Sequence, residues 1–205
     1  MVKITGFDTK EFPKTLLVGI KSPLNRTKNM DSYFEEFLNL VRTNGTPYEH
    51  IHYIKLRTVD NAYFLTLGKL EEIKALCEQY DIKQVFLSES INPKQERNIS
   101  DFLGCKVIDR TLLILEIFQK SAHSAEGKTQ VQIAMLGYLK ARLAGKGLHL
   151  AQQSGSIGVR SGSGETLKER ERRNIDLLIK RLTRELITLG RTRETQRKRR
   201  LSSGL

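Results

Sequence analysis

The chain has 205 residues, with 35 Lys and Arg against 23 Asp and Glu, a formal net charge of +12, and 39% hydrophobic residues. That length suits one large or two small domains with a real core, and the composition lies far from the disordered class. No stretch approaches the ~18 consecutive apolar residues of a membrane span, and the start, MVKITGFDTKEFPKT, lacks the apolar centre of a secretory leader.

Two cysteines, Cys77 and Cys105, fit a reducing, cytoplasmic compartment. Their spacing makes no metal or redox motif, and both read as small buried hydrophobes. The charge is unevenly placed. Residues 1–120 hold 17 Lys and Arg against 16 Asp and Glu, whereas residues 121–205 hold 18 against 7. A neutral half joined to a strongly basic half suggests that the second half faces a polyanion.

In chain order, Lys14–Ile20 is a short apolar run between prolines and reads as a buried strand. Asp31 is placed to cap a helix with Phe34, Phe37, Leu38 and Val41 on one face, ending at Asn44-Gly45. Ile51, Tyr53 and either Ile54 or Leu56 give a second strand with partial alternation. Leu70–Tyr80 is helical, with Leu70, Ile73, Ala75, Leu76 and Cys77 on its apolar side. Gln84–Leu87 is a third strand, and Asn92-Pro93 opens a helix with a cap residue followed by proline, running to Leu103 and stopping at Gly104. Lys106–Ile108 is a fourth strand, and Asp109 or Thr111 caps a helix over Leu112–Lys120. Strands alternating with helices through short connections predict a small, mostly parallel α/β sheet subdomain over residues 1–115.

Beyond that point strand signals cease, and residues 116–205 read as a helical hairpin. Gly127–Ala144 is a helix apolar over much of its circumference. Glu165–Leu201 is one long helix in which Ile175, Ile179, Leu182, Leu186 and Leu189 follow a 4-3-4-3 spacing, the seam of a short coiled coil. Gly190 inside it marks a weak point. The seam's expected partner is the preceding helix, in a long antiparallel α-helical hairpin of a monomeric chain; pairing between two chains is the alternative. The stretch 145–164, GKGLHLAQQSGSIGVRSGSG, would form a glycine-rich tip loop.

The chemistry of common enzymes is missing. There is no G-x-x-x-x-G-K-[ST] phosphate loop, no dinucleotide fingerprint after a strand and no G-x-S-x-G elbow. His50 and His52 share a strand face, but no cluster completes a metal set. No catalytic residue and no metal ligand is therefore assigned. What remains is a glycine-rich loop between basic helices, with Lys146 and His149 at its start, Arg160 within it, and Lys168, Arg170, Arg172 and Arg173 just after it. Exposed backbone N–H groups flanked by guanidinium forks suit phosphate-rich RNA.

The second half also carries a resemblance. Residues 107–118 (VIDRTLLILEIF), 126–131 (EGKTQV), 157–166 (IGVRSGSGET) and 191–200 (RTRETQRKRR), with GKLEEI at 68–73 and KQERN at 94–98, occur in the order of the N-terminal domain of the HflX family of ribosome-associated GTPases. Residues 14–205 resemble that domain. The resemblance implies a small α/β subdomain, a long antiparallel helical hairpin, and a G domain next. It implies binding to RNA of the large ribosomal subunit, with the hairpin tip near the peptidyl-transferase region, and a part in ribosome splitting, rescue or biogenesis. The RNA-binding positions it implies are Gly155, Gly158, Arg160, Gly162 and Gly164 in the loop, with Arg172 and Arg173 on the helix that follows; Lys168 is expected to join them from its place in the basic run just after the loop. The chain ends at Ser203-Gly204-Leu205, about where the family enters its G domain, so the GTP, Mg and hydrolysis of the family are expected outside this chain, on a G domain in cis or in trans. ATP binding by the N-terminal region is a further family implication for which no phosphate-binding motif offers a location. The sequence departs from the family at Ser154-Gly155-Ser156, in place of a triple glycine, at Val159, and at Lys168 and Glu171.

Overall fold

The computed structural model describes residues 12–27, 29–143 and 167–202. In order they form β1 (Thr15–Lys21), α1 (Met30–Asn44), β2 (His50–Lys55), α2 (Leu67–Tyr80), β3 (Gln84–Leu87), α3 (Pro93–Leu103), β4 (Lys106–Ile108), α4 (Arg110–Ser121), α5 (Ala125–Leu143) and α6 (Leu167–Ser202). Two compact units emerge. One comprises Met1–Ser90 with Asn98–Arg110, the other Ile91–Arg97 with Thr111–Leu205.

The first unit is a four-stranded, all-parallel sheet of order β2-β1-β3-β4. Thr15–Ile20 of the central strand are all buried, as a strand covered on both faces requires. The edge strand β2 differs. Ile51 and Tyr53 point to one face and remain 39% and 52% exposed, because nothing covers an edge completely. Tyr53 meets Phe34 of α1, with ring centres 4.9 Å apart, while His50 stacks on Tyr80 of α2 at 3.7 Å. Successive side chains of a strand alternate between faces, so α1 and α2 lie on opposite faces of the sheet.

Local chemistry fixes the helix ends. The cap of α1 is Asn29, whose Oδ1 accepts from Ser32 N at 3.1 Å; Asp31, expected as the cap, sits instead in the first turn, where its charge favours the helix dipole. Gly45 then closes α1 at φ 71°, a conformation that suits glycine. Asn92 and Gln95 form a reciprocal capping box at α3, with N–H···O distances of 3.0 and 2.9 Å. Leu70, Ile73 and Cys77 bury the inner face of α2, whereas Ala75 of the predicted apolar side is exposed.

In the second unit α5 packs against α6. Of the predicted seam, Leu182 is buried and Ile175, Ile179, Leu186 and Leu189 are half-buried. Leu177 and Ile187, which fall between seam positions, are exposed. The buried Tyr138 lies on α5. α6 continues unbroken through Gly190. Among the described residues no helix is long and apolar enough to cross a membrane.

Candidate nucleic-acid interface

The interface begins with α6, whose 36 residues span about 54 Å at ~1.5 Å per residue. It carries 13 Lys and Arg against 5 Asp and Glu. From Ile175 to Leu189 the apolar seam holds one face, so the cations of that stretch, Lys180, Arg181 and Arg184, fall on the rest. Arg172 and Arg173 are exposed in the first turns. Lys168 belongs to the same helix by its backbone, but its side chain lies outside the described residues. Gly155, Gly158, Arg160, Gly162 and Gly164, with Lys146 and His149, also lie outside them.

Acidic partners hold some of the cations. Lys140 of α5 pairs with Asp176 of α6, and Glu126 of α5 pairs with Arg193 of α6. Along α6 itself, Arg181 pairs with Glu185 at 3.1 Å and Lys198 with Glu194 at 2.8 Å. The two pairs along α6 are exposed, and pairs of that kind contribute little to stability, about 0–1 kcal/mol.

One cation is structural. Arg142, near the end of α5, has its guanidinium carbon 3.3 Å from the centre of the Tyr138 ring and its Nε 2.8 Å from Glu96 Oε2. Its Nη2 also donates to Ile91 O at 3.4 Å. Only 12% of its side chain is exposed. This group was not singled out from the sequence, where a lone Arg between Ala141 and Leu143 carries no distinguishing pattern.

A second feature was also missed. The 4-3 spacing of the seam continues past Leu189 to Arg193, Gln196 and Arg200. The seam changes from apolar to cationic where α6 passes the first turn of α5. Every residue from Gly190 to Ser202 is exposed.

The first unit has a polar cluster of its own, at the carboxyl ends of β1 and β3, where the strand order reverses and open α/β sheets commonly bind ligands. Ser88 Oγ accepts from Ile20 N at 2.8 Å. Tyr33 OH donates to Ser88 O at 2.8 Å and to Glu89 Oε1 at 3.3 Å, and Asn25 Nδ2 donates to the same carboxylate at 3.0 Å. Burial pushes the Glu89 carboxyl above the usual range, more than its hydrogen bonds with Asn25 and Tyr33 lower it. Burial, then the neighbouring Glu89, pushes Tyr33 up to about 12. Arg110 stacks over the Tyr33 ring at 4.7 Å and pairs with Glu36.

Ser22 Oγ is buried there without a hydrogen-bond partner. The Glu89 carboxylate of this cluster would repel the triphosphate of ATP, and Arg110 pairs with Glu36 through Nη2 while its Nη1 is buried without a hydrogen-bond partner. His50 and His52 are likewise engaged, by Tyr80 and, at 2.8 Å, by Glu72. Among the described residues no group of 3 or more His, Cys, Asp or Glu could hold a metal ion.

Comparison with known proteins follows the two halves of the chain. The family model "GTP-binding GTPase N-terminal" matches residues 31–119, and "GTP-binding GTPase Middle Region" matches residues 121–200. GTPase HflX of Flavobacterium psychrophilum is 34% identical over 190 residues, covering 93% of this chain and 46% of that protein. GTPase HflX of Caldanaerobacter subterraneus subsp. tengcongensis is 40% identical over 170 residues, covering 81% and 40%. That of Escherichia coli (strain K12) is 35% identical over 176 residues, covering 86% and 41%. Among solved structures, SsGBP in complex with GDP superposes with a TM-score of 0.61 at 22% identity, over 89% of this chain and 46% of the other. A GTP-binding protein from the hyperthermophilic archaeon Sulfolobus solfataricus in complex with GDP gives 0.55 at 23% identity, over 86% and 46%. At those identities the structural likeness concerns the fold. The chain spans less than half the length of these three HflX relatives.

Proposed function

Because the chain belongs to the HflX family of GTPases, whose N-terminal and middle regions it carries, we propose that it is the part of an HflX-type protein that binds RNA of the large ribosomal subunit. The observation that carries this reading is α6, a long helix with 13 cations against 5 anions. Guanidinium forks match phosphate oxygens, and contacts to phosphate supply most of the affinity for RNA.

In this reading α5 and α6 run antiparallel as a hairpin with residues 145–164 at its tip. The ion pairs support it, since Glu126, early in α5, meets Arg193, late in α6, whereas Lys140, late in α5, meets Asp176, early in α6. The tip residues Gly155, Gly158, Arg160, Gly162 and Gly164 would enter the RNA where a bulkier surface would not fit, with Lys168, Arg172 and Arg173 holding phosphates behind them. The role is in ribosome splitting, rescue or biogenesis, in the cytoplasm and as a monomer. GTP, Mg and the hydrolytic chemistry belong to a G domain acting with this part in cis or in trans, and this chain alone turns over no GTP.

Co-sedimentation with purified large ribosomal subunits across a salt series tests the reading. Neutralising about four phosphates gives a slope near −3 for log K against log salt. A variant carrying Arg160→Ala and Gly158→Pro should bind more weakly. Equal binding removes the tip from the interface, and no binding by the wild type overturns the reading.

A further inference from the structure

We infer that the last turns of α6 insert into a widened groove of folded RNA, with phosphates on both walls, as a contact separate from the glycine-rich stretch. The inference rests on the RNA-binding reading above and gives it a second site and a geometry.

Three observations carry it. First, α6 outruns its partner helix. Glu126, in the first turn of α5, meets Arg193, so residues 194–202 extend about 13 Å past that contact at ~1.5 Å per residue. All of them are exposed.

Second, the seam does not ask for another apolar helix there. Its next positions are Arg193, Gln196 and Arg200. An apolar partner that covered them would bury the charge of Arg200 without compensation.

Third, the cations cover the whole circumference. Consecutive helical residues are separated by about 100°, so Arg197, Lys198, Arg199 and Arg200 point in four directions. An acidic protein surface reaches a helix from one side and would leave half of these charges unused. A groove between two phosphate-lined walls reaches them from both sides. The regular major groove of A-form RNA is too narrow for a helix, so the fitting site is one opened by a bulge or loop. The residue choice agrees, since five of the six cations in residues 191–200 are arginine, which grips phosphate bidentately. The exposed Lys198–Glu194 pair is weak enough to open for phosphate.

The test measures the full chain against two probes across a salt series, a bulged RNA hairpin and purified large ribosomal subunits. On the hairpin, each of R197Q, K198Q, R199Q and R200Q should make the log K against log salt slope shallower by about 0.7–0.9. The quadruple variant should bind at least ~10-fold more weakly, with a slope shallower by about 3. A lysine variant, R197K/R199K/R200K, should keep the slope while losing affinity, which separates charge from the guanidinium fork. Far-UV circular dichroism checks that the helix persists in each.

An effect confined to one or two neighbouring positions marks a flat surface and overturns the inference. So does displacement of the hairpin by poly-glutamate as readily as by unlabelled hairpin. An unchanged quadruple variant on the hairpin also overturns it. If the wild type fails to bind large subunits, the ribosomal reading fails, and the hairpin series still decides the groove contact.

Discussion

Gly19 of the central strand lies directly beneath Tyr53 of the edge strand, so close that a Cβ at position 19 would stand 2.6 Å from the Tyr53 Cδ1 and 3.3 Å from the Phe34 Cδ1. The glycine lets the Tyr53 ring close the space between β2 and α1. Gly19→Ala forces that ring off Phe34. The overpacking costs about 1–3 kcal/mol, against a gain of up to ~1 kcal/mol from removing glycine within a strand. A lower urea midpoint is expected, with recovery in the Gly19→Ala/Tyr53→Ala double variant. Wild-type stability in the single variant would show that the ring yields freely.

The seam of α6 offers a matched pair. Leu182 is 5% exposed and Leu177 is 62% exposed on the same helix. Leu182→Ala should cost about 2–4 kcal/mol, because it leaves a cavity between α5 and α6. Leu177→Ala should cost less than ~0.5 kcal/mol, as for surface substitutions in general. Chemical denaturation of the two variants compares them within one molecule, and equal losses would contradict the seam.

Much of this was legible from the sequence because burial leaves periodic marks. The runs Leu16–Ile20 and Val85–Leu87 carry no polar side chain because their strands are covered on both faces. The 4-3 spacing from Ile175 to Leu189 revealed the seam because packing against α5 demands it. Contacts distant in sequence leave no such mark. Glu96 and Arg142 are 46 residues apart, and nothing in either neighbourhood announces the other. Asp31 and Asn29 are both good cap residues, and only backbone geometry decided between them. In the candidate interface the charge of α6 was legible, but its overhang past α5 was not, since that depends on which turns of the two helices meet.

Arg142 and Glu96 form the kind of pair that is costly to halve. Their side chains are 12% and 25% exposed, and Arg142 also rests on Tyr138. Removing one partner leaves the other charge poorly hydrated, at a cost of about 2–4 kcal/mol for Glu96→Ala or Arg142→Ala. Replacing both together should cost less than the sum of the single losses. A double-mutant cycle from urea melts measures the coupling, and additivity would show that the two residues do not act as a pair.

Glu89 gives the first unit a specific pH response. Burial raises its carboxyl above the ordinary value of 4.5, so the folded state favours the protonated form more than the unfolded chain does. The stability this group contributes is fully present below the unfolded pKa and is lost as pH rises through the raised folded value. Glu89→Gln keeps an Oε1 that can accept from Asn25 and Tyr33 but has no charge to bury. The variant should therefore be more stable than the wild type at neutral pH. That advantage should shrink as the pH falls through the carboxylate range. Tyr33, pushed up to about 12, remains a hydrogen-bond donor throughout this window and does not confuse the comparison. Urea midpoints of the two proteins across a pH series measure the difference directly. A difference that stays constant with pH, or a variant less stable than wild type at pH 7, would show that the Glu89 charge is well solvated or well paired in the folded protein.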